Sequence, residues 1–433
     1  MAARNPLDIP EILALVGKYI PLWRCIDSQG RKYAFQPQDM VSCTQVSQLF
    51  RIVFLPILWY TFDEKAMRSV PHNVIQKYAP YFKAHFYYGF RSDCSTDYRP
   101  LNTQLVHLSM STKRARNHHV QVIKSNPGLK SLGVTCIPEF SLHYSDAFEN
   151  LKQLKEFRYR ILAPHYLGKH QELMLPISPT LEKLHISVVR QRLGLDGLTF
   201  PKLKELKVGL SHSQDGIDLL QGSPNLETLV STSNSFILVK ALETGACPAL
   251  KNLKLDISNG TKITLAAILE SRIGLQTLEL RVESFDERLA TAINCHAPSL
   301  TRLSIRRLTS KALWGPSTSS FLLRILGTCG GLQDVKIGTA EDAVGLLLTM
   351  DHWKNPDVLE NLLMGIAGEN MRVDVNRETD EYLDGWKLPP GKTLGGHTET
   401  FLKMVFEAAE GFCRLRTIIL DGIVYKKANT LEQ

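Results

Sequence analysis

Pro248-Ala-Leu250-Lys-Asn-Leu253-Lys-Leu255 is the stretch that decides the fold, because it returns twice at intervals of 25 residues. The returns read Gly274-Leu275-Gln-Thr-Leu278-Glu-Leu280 and Pro298-Ser-Leu300-Thr-Arg-Leu303-Ser-Ile305. Upstream the phrase occurs as Pro127-Gly-Leu129-Lys-Ser-Leu132-Gly-Val134, Pro179-Thr-Leu181-Glu-Lys-Leu184-His-Ile186, Pro201-Lys-Leu203-Lys-Glu-Leu206-Lys-Val208 and Pro224-Asn-Leu226-Glu-Thr-Leu229. Downstream it is Gly331-Leu332-Gln-Asp-Val335-Lys-Ile337. Weaker copies sit at Leu105/Leu108/Met110, Leu154/Phe157/Tyr159, Leu359/Leu362/Met364 and Leu415/Ile418/Leu420. First leucines stand 22 to 27 residues apart from Leu105 to Leu300, after which the gaps lengthen to as much as 56.

A period of 20–29 residues carrying this phrase is the leucine-rich-repeat signature. Leu-x-Leu alternates at period two, which makes a short strand with one buried face. The stretches between phrases have helical spacing, as in Ile217/Leu219/Leu220, Ile263/Leu265/Ile268/Leu269, Leu289/Ala292/Ile293 and Phe321/Leu322/Ile325/Leu326. One strand and one helix cannot bury themselves alone, so neighbouring repeats stack. The expected class is α/β: a leucine-rich-repeat solenoid with a parallel sheet on its concave side and helices on its convex side. The proline ahead of each strand ends the helix before it, having no N–H to donate. Cys247, Cys295, Cys329 and Cys413 fall just before strand phrases and read as small buried hydrophobes.

A length of 433 residues allows two or three domains, or one elongated array. Lys and Arg total 51 against 43 for Asp and Glu, and the resulting +8 is too mild for a strongly basic nucleic-acid tail, though it favours acidic partners slightly. At 44% hydrophobic and 22% charged the composition is globular rather than disordered. No apolar run reaches the ~18 residues that span a bilayer, and the N-terminus lacks the pattern of a signal peptide. Eight scattered cysteines with no Cys-x-x-Cys read as reduced thiols, so a cytoplasmic or nuclear address is expected and the Asn259-Gly-Thr261 sequon stays unmodified.

Residues 1–62 lack the repeat phrase. Leu7-Asp-Ile9-Pro10-Glu11-Ile12-Leu13 opens a helix, with Asp8 placed to cap it and Pro10 and Glu11 in its first turn. Asp39 to Arg51 has apolar residues at helical spacing, and Ile52 to Trp59 is a third apolar stretch. These predict a small three-helix unit that needs a partner or the repeats to cover it. The pattern Leu-x-x-Pro-Glu-Ile-Leu, then Cys-x-x-Val-Ser-x-x-Phe-Arg, then Leu-Trp resembles the F-box, and the chain resembles an F-box leucine-rich-repeat protein of the fungal type. Eighteen residues separate Ile20 from Asp39, and Phe50 stands where the motif usually has Trp. The resemblance implies a substrate receptor of an SCF-type cullin–RING ubiquitin ligase. Leu7, Ile9, Pro10, Ile12, Leu13, Val46, Leu58 and Trp59 match the positions that pack on the Skp-type adaptor. It further implies an F-box-like helical domain over 1–62, a linker and N-terminal cap over 63–98, and repeats over 99–433 with irregular C-terminal copies. The other reading of the same apolar residues is a cap on the solenoid, in a free-standing interaction scaffold.

Sequence motifs for catalysis are missing, so no enzyme and no cofactor are expected. Gly391-Lys392-Thr393 lacks the upstream glycine of a phosphate loop, and Asp374-Val-Asn376 has Thr379 where a calcium loop needs Gly. His118-His119, His165 and His170 have no ligand-spaced partner, no Gly-x-Ser-x-Gly occurs, and Lys113-Arg-Ala-Arg116 reads as a solvated loop. The third, fifth and seventh phrase positions point off the sheet away from the core. Over Leu105 to Leu332 they hold nine basic residues against five acidic ones, and Arg158, Arg160, Lys183, Arg281, Arg302 and Arg306 form the candidate substrate-binding set. Two readings stay open: a face for an acidic or phosphorylated peptide, or ordinary solvated charge. No membrane or nucleic-acid partner is expected.

Overall fold

The computed structural model describes residues 9–25, 33–67, 69–87, 104–112, 117–136, 145–161, 170–188, 195, 197–209, 213–231, 245–257, 262–270, 274–282, 285–307 and 317–337, with short strands at 361–364, 381–383, 386–388, 417–420 and 423–427. The chain forms two compact units, residues 1–203 and 204–433.

In the first unit, helix α1 (Pro10–Tyr19) has Pro10 and Glu11 in its first turn; Asp8 lies outside the described residues, and the N-cap is Ile9 with no side-chain hydrogen bond. Helices α2 (Gln38–Val46) and α3 (Gln48–Leu58) follow. They break at Ser47 rather than after Arg51, because Ser47 takes an extended backbone and its hydroxyl accepts the Phe50 N–H at 3.2 Å. Gly17 lets α1 close on α3: a Cβ there would stand 2.7 Å from Ile57 and 2.9 Å from Phe54. A hairpin of β1 (Trp23–Cys25) and β2 (Tyr33–Phe35) fills the spacing before α2 that is long for the motif.

Six parallel strands follow: β3 (Thr61–Asp63), β4 (Ala84–Tyr87), β5 (His107–Thr112), β6 (Ser131–Cys136), β7 (Glu156–Ile161) and β8 (Lys183–Val188). Two of them precede the first copy of the phrase. β4 carries His85 and Tyr87 where its neighbour β5 carries Leu108 and Met110, so the leucine period is absent while the pairing is kept. Leu108, Leu132, Phe157 and Leu184 stand in one register column and all are buried.

In the second unit β9 (Glu205–Gly209), β10 (Thr228–Ser231), β11 (Asn252–Ile257), β12 (Thr277–Val282), β13 (Arg302–Arg307), β14 (Asp334–Ile337) and β15 (Asn361–Met364) pair in parallel, and Thr417–Leu420 adds to β15. Leu206, Leu229, Leu253, Leu278, Leu303 and Val335 make the buried column. Helices Ser213–Gln221, Lys262–Glu270, Glu287–Asn294 and Ser317–Thr328 occupy the predicted stretches. Each unit is thus an α/β leucine-rich-repeat array.

Repeats are also stitched at the helix ends, where carbonyls lack partners within the helix. The residue before each phrase proline is buried and often polar. Asn126 accepts the Leu105 N–H at 2.8 Å and donates to the Val122 carbonyl at 2.8 Å, and the Ser223 hydroxyl donates to the Leu219 carbonyl at 2.7 Å. The Cys247 thiol donates to the Leu220 carbonyl of the preceding repeat at 3.3 Å. Cys247 and Cys329 are buried as expected, but Cys295 is exposed. It lies three residues before Pro298, not one, and so caps its helix from outside the core column. Cys413 lies outside the described residues.

Candidate functional site

Two surfaces of the chain hold the residues singled out by sequence. On the helices, Leu13, Leu58 and Trp59 are buried. Trp59 stacks on Tyr78 with ring centroids 4.6 Å apart and meets Phe82 edge-on at 6.1 Å, so its packing partners belong to its own unit. Ile9 and Ile12 are half-buried, Pro10 and Val46 are exposed, and Leu7 lies outside the described residues. Sequence reasoning missed Leu15, Val16 and Tyr19, which are 55%, 44% and 86% exposed. With Ile12 they fall at i, i+3, i+4 and i+7, one apolar stripe beside the Leu13/Gly17 stripe that faces α3. That spacing was readable; a helix with two adjacent apolar stripes has one more than its own fold consumes.

On the strand face of the first unit, Arg158 and Arg160 project from β7. The Arg158 guanidinium donates to Glu156 at 2.6 Å, and the Ser131 hydroxyl donates to the other Glu156 oxygen at 3.1 Å. Burial pushes the Glu156 carboxyl up, but these bonds and the Arg158 charge outweigh it and hold its pKa below the usual range. Lys183 is exposed across from Glu156 on β8. Arg160 is exposed and has no ion-pair partner among the described residues.

In the second unit the face is a ladder of opposite charges. Lys254 donates to Glu279 at 2.7 Å, Arg281 stands 3.7 Å from Asp256, and Arg302 reaches Asp334 at 2.6 Å. Burial raises the Glu279 carboxyl, but the bond and charge of Lys254, with Lys336 and Arg306 behind it, bring it down overall. At Asp256 burial prevails over Arg281 and Lys254, and the pKa rises. Arg306 sits beside Arg281 in register and has no ion-pair partner within 4 Å among the described residues. Half of the predicted basic set (Arg158, Arg281 and Arg302) is therefore already paired across or along strands. Exposed pairs of this kind contribute about 0.2–1 kcal/mol each, so they hold local geometry more than global stability. Among the described residues, Arg160 and Arg306 of this set have no ion-pair partner within 4 Å.

Among the described residues no three His, Cys, Asp or Glu side chains converge as a metal set, and no helix is long and apolar enough to cross a membrane. Lys392 and the acidic segment at 374–380 lie outside the described residues.

No family model and no curated protein matches the chain. Among solved structures it is similar to TLR13 in its complex with ssRNA13, at 16% identity and a TM-score of 0.34, over 61% of this chain and 39% of that one. It is also similar to Toll of Drosophila in its complex with Spatzle, at 12% identity and a TM-score of 0.31, over 61% of this chain and 36% of that one. The matched part is thus well under half the length of either.

Proposed function

We propose that this chain is the non-catalytic substrate-recognition subunit of an SCF-type cullin–RING ubiquitin ligase. In this reading α1–α3 dock a Skp-type adaptor, and the strand faces hold a substrate while other subunits carry out ubiquitin transfer. It carries with it a cytoplasmic or nuclear address and no turnover by the chain itself. The observation that supports it is the apolar stripe Ile12-Leu15-Val16-Tyr19, exposed at Leu15, Val16 and Tyr19 and half-buried at Ile12, on the helix whose Pro10-Glu11-Ile12-Leu13 resembles the F-box. Exposed apolar stripes at helical spacing mark interaction surfaces.

The test is co-purification of the full chain with a recombinant Skp-type adaptor. Leu15→Glu with Tyr19→Glu is expected to weaken capture at least about tenfold while circular dichroism stays unchanged. Leu13 and Trp59 are unsuitable targets because both are buried in the unit's own core. Adaptor binding undiminished by these charges, or none by the unaltered chain, removes the reading. One observation favours the alternative of a free-standing scaffold: Trp59 is covered by Tyr78 and Phe82 of the same chain. In that case the helices only cap the first sheet.

A second prediction concerns the strand faces, where an acidic or phosphorylated substrate is the proposed partner. Arg160→Glu and Arg306→Glu, made together, are expected to weaken capture of a substrate found by proximity labelling about tenfold, with adaptor binding kept. Capture should also fall with added salt. These two positions avoid leaving Glu156, Asp256 or Asp334 without its cation. Capture that survives both reversals and high salt places the partner elsewhere.

A further inference from the structure

Ser304 stands on the open face of β13 between Arg302 and Arg306, because Leu303 and Ile305 turn into the core. It is nonetheless only 2% exposed, and its hydroxyl makes no hydrogen bond among the described residues. Register explains the burial. Glu279 of β12 and Lys336 of β14 flank it across the strands, and Arg302 and Arg306 stand two residues away along its own. The smallest side chain of this part of the face is thus ringed by long charged ones and floors a notch.

The charges around the notch do not balance. Lys254 draws the Glu279 carboxylate towards β11 at 2.7 Å, and Arg302 answers Asp334 at 2.6 Å. Arg306 and Lys336 are half-buried and have no ion-pair partner within 4 Å among the described residues. Both reach the surroundings of Ser304: burial pushes the Glu279 carboxyl up, but Lys254, then Lys336 and Arg306, bring it down. Arg281 adds to the excess, since it has Asp256 at 3.7 Å on one side and Arg306 in register on the other. Like charges directly opposite each other destabilise a strand pair. Two uncompensated cations and one unused hydroxyl therefore converge, at spacings of about 7 Å along the strand and about 4.8 Å between strands.

We propose that this notch seats the phosphoryl group of a phosphoserine on a protein partner, with the Ser304 hydroxyl, Arg306 and Lys336 as its donors. A phosphomonoester carries about −1.5 to −2 charges at pH 7, which matches two free cations, whereas a carboxylate answers only one. Its oxygens accept from three directions, as a hydroxyl below and cations at two sides require. The inference rests on the strand-face part of the proposed function and names its substrate class; adaptor docking does not enter it.

The probe is a peptide library with random flanks around a central phosphoserine, passed over the immobilised full chain beside libraries centred on Ser and on Glu. Phosphoserine peptides are expected to be retained about tenfold over both. Ser304→Leu fills the notch without altering a charge, and Lys336→Gln removes one donor; each should cost about tenfold. Ser304→Ala, too small a change to disturb folding, should cost about threefold. Lys207→Gln makes the same loss of charge on the exposed face of β9, four strands away, and should stay within about twofold. Equal retention of the phosphoserine and Glu libraries overturns the inference, as does full binding by both Ser304 variants or an equal loss from Lys207→Gln. Displacement by about 1 mM inorganic phosphate would make this a site for the free anion and overturn the protein partner. If the library test fails while substrate capture still responds to Arg160→Glu with Arg306→Glu, the partner is acidic without a phosphoryl group, so the two readings fail separately.

Discussion

Leu278→Ala is expected to destabilise the second unit by about 2–5 kcal/mol. Leu278 is fully buried on β12, between Leu253 of β11 and Leu303 of β13 in the same register column. Truncation removes transfer energy and leaves a hole that two parallel neighbours, tied by their ladders, collapse into only partly. Thr277→Ala, one residue away on the open face, is the matched control and should stay within about 0.5 kcal/mol. Stability in a repeat array is a sum of local and nearest-neighbour terms. The loss should therefore appear in hydrogen exchange of β11–β13, ahead of any change in the first unit. Equal effects of the two substitutions would show that the leucine column is not the core.

His85 is the second position with a large expected effect, this time in pH. It is 2% exposed, with the rings of Phe62, Phe82 and Tyr87 within 5.3–5.5 Å. One ring nitrogen shares a hydrogen bond with the Tyr87 hydroxyl at 3.1 Å, and the other has no partner among the described residues. Burial lowers its pKa from 6.5 to about 3. The unfolded chain thus takes up a proton near pH 6.5 that the folded chain refuses until about pH 3. Stability is fully present above pH 6.5 and falls with pH below it, at about 1.4 kcal/mol per pH unit. Over the whole window the loss is on the order of 4–5 kcal/mol. His119 and Glu64 are the other titratable groups around Tyr87, whose own pKa is raised by burial and then by the Glu64 charge. Denaturant unfolding of the first unit, compared between the unaltered chain and His85→Leu at pH 7 and pH 5, isolates the imidazole. The variant should lose most of the acid sensitivity, because leucine is what the neighbouring strand carries at this register position. Equal acid sensitivity in both would assign the effect to other groups.

The same two residues show where sequence and tertiary structure divide. Period-two leucines recurring every 22–27 residues suffice to predict parallel strands, because the phrase repeats its own burial pattern and each copy needs its neighbour. The helices between phrases were legible for the same reason, from apolar spacing and the prolines that stop them. β3 and β4 were not, since β3 is only three residues around Phe62, and His85 and Tyr87 replace the signature side chains on β4, while backbone pairing, which carries no side-chain identity, continues through both. The break at Ser47 was open to the capping rule but hidden by apolar residues running on both sides. Cys295 was misplaced because burial near a strand depends on an offset of two residues that periodicity does not resolve.

The candidate sites divide in the same way. The sequence alone determined which charges lie on the open strand face, since alternation settles direction. Only the folded sheet decided which of them are already spent, because the partners lie 25 or 32 residues away and are chosen by register: Arg302 took Asp334 and Arg281 took Asp256, while Arg160 and Arg306 have no ion-pair partner within 4 Å among the described residues. On the helices, the motif residues could be named from sequence, yet packing decided that Leu13, Leu58 and Trp59 turn inward and Leu15, Val16 and Tyr19 outward. Both stripes of α1 are apolar, and hydrophobicity has no direction until a second helix arrives. Gly17, the residue that lets α3 approach, is what chose between them.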